Sequence, residues 1–421
     1  MSAASPVSAT TLTRPFWLHL LLIAAMILSR RPDALLHPQF WAEDGQSFYH
    51  DAYMRGPAAL LLPLGGYLNT FSRLVAALAV NFPLAWAPAM FAVTAFAVQL
   101  APPAVMLSDR MAAALPSPRA RLAMAYFYAA MPNSWELNVN LTNAQWHLAM
   151  LAFLLVVASP ARHPAARAAD ALVLAVSGLS GPFDLFLVPL AWFEQTRRRD
   201  PARLTNALVL SAAGAVQLVC IAVSHATAVR RYTSLGATPA RFLHIVTTQI
   251  VLGGLLGHRL TVHLAALPAF QGILLPLIAV VAAAAAIATA FATGPAIYRK
   301  AAFWSAALFG AALLTPLASQ TVPQWLEMTH PGAALRYYII PSLVWFATWL
   351  ILAASPWRAA RIAAFAVLGL TALGITSDWV YPRLPPHGFT AQATAFAASP
   401  PGTTATFPEN PPGWSMVLTK P

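Results

Sequence analysis

Long apolar runs, each closed by a charged or proline-containing stretch, constrain this chain more than any other feature. They fall at about 16–29, 84–107, 120–132, 145–159, 168–181, 184–195, 204–224, 268–294, 301–318, 337–354 and 360–377. Several approach the ~20 apolar residues that cross a hydrocarbon core. Charged residues make up 9% of the chain, against ~25% in an ordinary soluble domain. A normal water-facing surface cannot be built from so few. The expected fold is an all-α polytopic membrane protein of about eleven transmembrane helices. Interfacial helices are expected in the first outer loop, and residues 378–421 form a short Pro-rich outer tail after a transmembrane unit over 1–377.

Other readings of the composition fall away. The lone Cys220 excludes an internal disulfide and a cysteine metal site; in its apolar run it reads as an inert packing residue. The run from Phe16 to Ser29 has the length of a signal-peptide core. Arg30, Arg31 and Pro32 follow it in place of a small-residue cleavage site, so it is expected to stay as the first helix. The net charge of +12 is spread thinly between apolar runs, which suits membrane topology and not nucleic-acid binding. The third, fifth and sixth runs are short and carry Pro132, Gly178, Gly181 and Pro182, as broken helices lining a cavity would.

Basic residues set the orientation. With the N-terminus inside, the inside loops are short and basic, as the positive-inside rule expects. The C-terminus is then outside. The Ala, Arg and Pro bias points to a GC-rich bacterial genome, hence to the inner membrane with chemistry on the periplasmic face. The inside loops are too short to build a site, so function is expected in the outer segments 30–83, 133–144, 225–267 and 319–336. No internal repeat of a transporter kind is present.

Two of the chain's 13 acids stand together in the first outer segment, in Phe40-Trp41-Ala42-Glu43-Asp44-Gly45. Phe48, Tyr49, Ala52 and Tyr53 follow on one helical face, as in a helix lying in the interface. Asp44 opens this helix and reads both as its N-cap and as a rigidly held general base. Glu43 reads as a support residue or a cation ligand. Arg73 is either a snorkelling anchor or a phosphate contact. Segment 133–147 gathers Asn140, Asn143, Trp146 and His147 with further Asn and Trp residues. Amides and indole faces suit a carbohydrate, and equally an interfacial belt with helix caps. Arg230 and Arg231 are outside cations, which the topology rule disfavours; a phosphate ligand or lipid headgroups would explain them. Arg336, beside Tyr337 and Tyr338, reads as a phosphate clamp or a belt anchor. Asp184 reads as a helix N-cap. The histidines lack a metal-ligand spacing.

Taken together, the chain resembles the C-type glycosyltransferase superfamily of multi-spanning membrane enzymes. The resemblance rests on Trp41-Ala42-Glu43-Asp44-Gly45 after the first span, on Gly66-Tyr67-Leu68, on Arg336-Tyr337-Tyr338 and on Asn410-Pro411-Pro412-Gly413-Trp414. These look like segments of bacterial members that decorate surface polysaccharides. The resemblance implies sugar transfer from a polyprenyl-phosphate donor to a glycan or lipid-linked acceptor, inverting, with Asp44 as base. It implies cations such as Arg336, Arg230, Arg231 and Arg73 at the donor phosphate. Asn140, Asn143, Trp146, His147 and Tyr337 would contact substrate. The donor carries no nucleotide and needs no Gly-rich phosphate loop; some relatives use a divalent cation, Mg or Mn, near the acidic motif, which Glu43 and Asp44 would hold. The small tail departs from members with a large soluble domain. The competing readings are a lipid-linked sugar or polysaccharide flippase, and a polymerase or ligase of O-antigen type. The first would place charge at mid-span; the second would depend on outer Arg and His.

Overall fold

The computed structural model describes residues 15–226 and 233–421. Arg14, Arg230 and Arg231 lie outside the described residues. A helix stands at each of the eleven apolar runs: Pro15–Arg30, Ala87–Leu107, Pro118–Ala130, Ala144–Val157, Pro164–Gly178, Val188–Arg198, Pro201–Ala226, Leu274–Thr293, Ala296–Leu314, Ile339–Ala353 and Arg358–Ser377. Among the described residues, five helices can cross a bilayer by length and composition: Leu84–Leu107, Pro201–Ser224, Pro239–Ala265, Leu274–Thr293 and Arg358–Ser377. Pro15–Arg30, Ala144–Val157 and Ile339–Ala353 are apolar but shorter. Pro239–Ala265 falls within the segment 225–267, outside the eleven apolar runs. It is bent, with a π-helical stretch at Val246–Leu252 and a break at Gly257 (φ 78°, ψ 176°).

Helix Ala144–Val157 is apolar all round and buried along almost its whole length, as such a helix must be. It packs against Ala87–Leu107 and Pro164–Gly178 and forms the axis of the main core. Its first turn sits directly under the polar loop that follows helix Pro118–Ala130, which places that loop at the end of the bundle. Asp184 does not cap a helix as expected. It lies in a 3₁₀ turn over Pro182–Phe186, 2% exposed. It faces the Ser177 hydroxyl, but neither carboxyl oxygen makes a hydrogen bond.

A second core forms at one end of the bundle, from the loop that follows the first helix and from the tail. The loop folds as a π-helical turn Asp44–Tyr49, a helix His50–Arg55, a 3₁₀ turn Gly56–Leu61 and a helix Thr70–Ala79. Phe48, Tyr49 and Ala52 are buried, where an interfacial helix would turn this face to lipid. They pack with Phe40, Val75, Phe91, Phe389, Phe396, Phe407, Met416 and Leu418. The periodicity identifies the apolar face correctly; the tail, and not the membrane, covers it. The tail folds as a helix Phe389–Ala398 and a hairpin, β1 Thr404–Glu409 and β2 Trp414–Thr419, antiparallel from Thr404↔Thr419 to Glu409↔Trp414. Strand alternation sends Phe407 and Glu409 of β1, and Met416 and Leu418 of β2, into this core. The tail has too little apolar content for a core of its own; it shares the loop's.

Candidate active site around Asp44

Asp44 is held in position by its own turn and by one distant piece of chain. Its own turn is closed by the Asp44 amide donating to the Trp41 carbonyl at 3.0 Å. The Trp41 amide donates to Asp44 Oδ2 at 3.3 Å. The hydroxyl of Thr142, from the loop beneath, donates to Oδ1 at 2.7 Å. The carboxyl does not cap its own helix, contrary to the N-cap reading. It points back across the turn, because Ala42 takes a left-handed conformation (φ 50°). Asp44 is 2% exposed, and burial pushes its carboxyl up to about 7, against the hydrogen bonds from Thr142 and Trp41. A carboxyl tuned to neutral pH is suited to taking a proton.

The Glu43 carboxyl feels a part-buried ion pair, Arg336–Glu136. Arg336 Nη1 binds Glu136 Oε1, and the Arg336 amide reaches Glu136 Oε2 at 3.3 Å. Arg336 also donates to the Leu317 carbonyl and lies 5.0 Å from the Tyr337 ring centre. Burial pulls the guanidinium down, but Glu136, Tyr337 and Glu43 outweigh it and hold the proton more firmly than usual. Burial pushes the Glu43 carboxyl up, against its backbone hydrogen bond and Arg336.

The asparagines do structural work that the carbohydrate reading did not assign. Asn140 Nδ2 and Asn143 Nδ2 both donate to the Glu136 carbonyl, at 2.6 and 3.0 Å. Asn140 Oδ1 accepts from the Asn143 amide at 3.0 Å. They fix the loop that aims Glu136 at Arg336 and Thr142 at Asp44. Both ring nitrogens of His147 are engaged, with the Tyr128 hydroxyl at 2.5 Å and the Leu137 carbonyl at 3.0 Å. Trp146 lies between Phe183 (4.0 Å between ring centres) and Tyr337 (5.6 Å), while Trp41 meets Trp135 at 5.9 Å. Trp146, Tyr337 and Arg336 thus come together. Arg73 does not join them: its charge is taken by Asp51 at 3.1 Å beneath the aromatic helix.

The residue that sequence reasoning missed is Glu409. It is 2% exposed and accepts from the Gln46 amide at 3.1 Å through Oε2. Oε1 has no hydrogen-bond partner. Burial pushes its carboxyl up to about 8, the Gln46 bond opposing and the Asp44 and Glu43 charges adding to the rise. A signal was available: alternation along Thr-Ala-Thr-Phe-Pro-Glu puts Glu409 on the face of Phe407.

The donor set does not fit a divalent cation. Both Asp44 oxygens accept hydrogen bonds, Glu43 feels the Arg336 charge, and no group of three His, Cys, Asp or Glu among the described residues is placed to hold a metal. A cavity of about 130 Å³ lies between the two helices that start at the site and extends to Met111, Leu115 and Arg121 at the far end of the bundle; none of the acids lines it. Met150, Phe153 and Leu154 line it from one, Ile340, Leu343 and Val344 from the other. Compared with models of known protein families the chain matches none, and comparison with curated proteins finds no similar one.

Proposed function

We propose that this chain is a membrane glycosyltransferase. It moves a sugar from a polyprenyl-phosphate donor to a glycan or lipid-linked acceptor, at the outer face of the bacterial inner membrane. The observation that carries this reading is Asp44: a buried carboxyl held near pH 7, with Thr142 and the Trp41 amide fixing its direction. Catalytic bases are tuned in this way, and a helix cap has no need of it.

In the proposed reaction the acceptor oxygen attacks the anomeric carbon and its proton passes to Asp44. The bond from that carbon to the phosphate oxygen breaks, and the electron pair leaves with polyprenyl phosphate. One displacement inverts the anomeric centre. The charge growing on phosphate needs a cation. Arg336 is the candidate within the described residues: it lies beside Glu43 and stays protonated. Its existing bond to Glu136 means the phosphate would share the guanidinium. Tyr337, part-exposed beside Arg336, offers a ring to the sugar, while Trp146 is buried behind it against Phe183.

The test is transfer from labelled polyprenyl-phosphate sugars by the protein in lipid nanodiscs. Asp44→Asn is expected to lower kcat by about 10²–10⁴-fold, the usual worth of a general base. Transfer at near wild-type rate in Asp44→Asn overturns the mechanism. Movement of intact lipid-linked sugar across the bilayer without transfer favours a flippase.

A further inference from the structure

Glu409 comes from the far end of the chain and stops against the acidic turn. The contact is close enough to dictate a residue of the loop. A Cβ on Gly45 would lie 1.6 Å from Glu409 Oε1 and 2.9 Å from Phe40 Cδ2. Gly45 is not among the residues with positive φ, so its backbone does not ask for glycine. The approach of Glu409 and Phe40 does.

The hairpin is stitched to the loop on both sides of this contact. The Ala42 amide donates to the Asn410 carbonyl at 2.5 Å, and the Asn410 amide to the Phe40 carbonyl at 3.3 Å. Asn410 Nδ2 donates to Gln39 Oε1 at 2.9 Å. Backbone pairing through Asn410, with Phe407, Met416 and Leu418 in the shared core, already anchors the tail. A buried acid beside two other acids adds cost to that anchoring. Helix Phe389–Ala398 and strand β2 carry no charged residue; the charges acting on Glu409 are Asp44 and Glu43. An acid retained there asks for a role that packing does not supply.

We infer that Glu409 is a positioning residue for Asp44: the C-terminal hairpin clamps the Asp44–Gly45–Gln46 backbone through the Gln46 amide, and so completes the site from outside the bundle. The inference rests on the reading of Asp44 as the base. Productive geometry needs the base held to a fraction of an ångström. Thr142 and Trp41 fix its carboxyl, while Glu409 fixes the backbone that carries it.

The test uses the full-length protein in nanodiscs with Glu409→Ala, Glu409→Asp, Glu409→Gln and Gly45→Ala. Two readouts are taken: kcat and KM with a polyprenyl-phosphate sugar, and amide hydrogen exchange over residues 41–49. Glu409→Ala is expected to lower kcat by about 10²-fold, the cost of a base displaced by about 1 Å, with KM little changed and exchange of that segment faster. Glu409→Asp, one methylene short, is expected to do the same if the alanine variant fails to fold. Gly45→Ala expels the carboxyl sterically and should match them. Glu409→Gln keeps the acceptor for Gln46 and should restore both readouts. Unchanged exchange in Glu409→Ala and Glu409→Asp overturns the clamp. Faster exchange with unchanged kcat leaves Glu409 a tail anchor and overturns the positioning role. A wild-type protein that transfers no sugar defeats the enzyme reading, while the exchange measurement still decides the clamp.

Discussion

At the scale of single residues, the chain concentrates unusual electrostatics at one turn. Asp44 and Glu409 are both buried carboxyls displaced upward, to about 7 and about 8, because burial disfavours their charged forms. This has a stability signature independent of any substrate. The folded state holds the Asp44 proton more tightly than the unfolded chain, whose value is the ordinary 3.8. Asp44 therefore contributes most to stability below about pH 4, and that contribution is lost as pH rises through about 7. Asparagine carries no such dependence, and its loss of an acceptor for the Trp41 amide is the same at every pH. The melting temperature of Asp44→Asn minus that of wild type should climb from pH 4 to pH 7 and then level off. A flat difference across that window would mean that Asp44 is not held neutral by the fold.

At the scale of elements, what the sequence makes legible is local. Each apolar run meets a helix, because a run of Leu, Ala and Val between Arg and Pro has few other stable forms in lipid. The hairpin has a local sign too: Asn410-Pro411-Pro412-Gly413, a turn composition, stands between two strands of alternating burial. What covers an apolar face is not local. Phe48, Tyr49 and Ala52 announce a buried face, but their partners Phe389, Phe396 and Phe407 stand more than 300 positions away in the chain. A like separation hides Glu409, and one of 119 to 245 positions hides the role of Asp378. Its carboxylate takes the amides of His258 and Arg259 and that of Asn133. It thus starts the second half of the helix broken at Gly257 and ties it to the polar loop under Asp44. A Cβ at Gly257 would stand 2.5 Å from Asp378 Oδ2, in a backbone conformation that already disfavours side chains. Asp378→Ala leaves three amides without their acceptor and should cost about 3 kcal/mol, read as earlier thermal unfolding in detergent. Gly257→Ala should unfold earlier too. An Asp378→Ala protein that melts with wild type would show the break to be held by packing alone.

At the scale of the whole molecule, the charges sort into two groups that do not mix. Among the described residues, Arg110–Asp170 and the pairs of Glu194 with Arg198, Arg203 and Lys300 join segments expected inside. Those of Asp51 with His50, Arg55 and Arg73, with His330–Glu327 and Arg336–Glu136, join segments expected outside. Counting basic residues along the sequence made the same division without coordinates, which is what a bilayer between the groups would require: it holds them apart in space and biases their sign in the sequence. Which group faces the cytoplasm decides where Asp44 works. In a Cys220→Ser background, a cysteine at Pro401 reports the tail and one at Ala166 reports the opposite end; both positions are exposed. A thiol reagent that cannot cross the inner membrane should label the Pro401→Cys protein in intact cells, and the Ala166→Cys protein only after lysis. Tail and acidic turn share one core, so the Pro401 result carries Asp44 with it. The reverse pattern would put Asp44, Arg336 and Glu409 on the cytoplasmic face. An outward-facing transferase would then be excluded, whatever the chemistry of the acids.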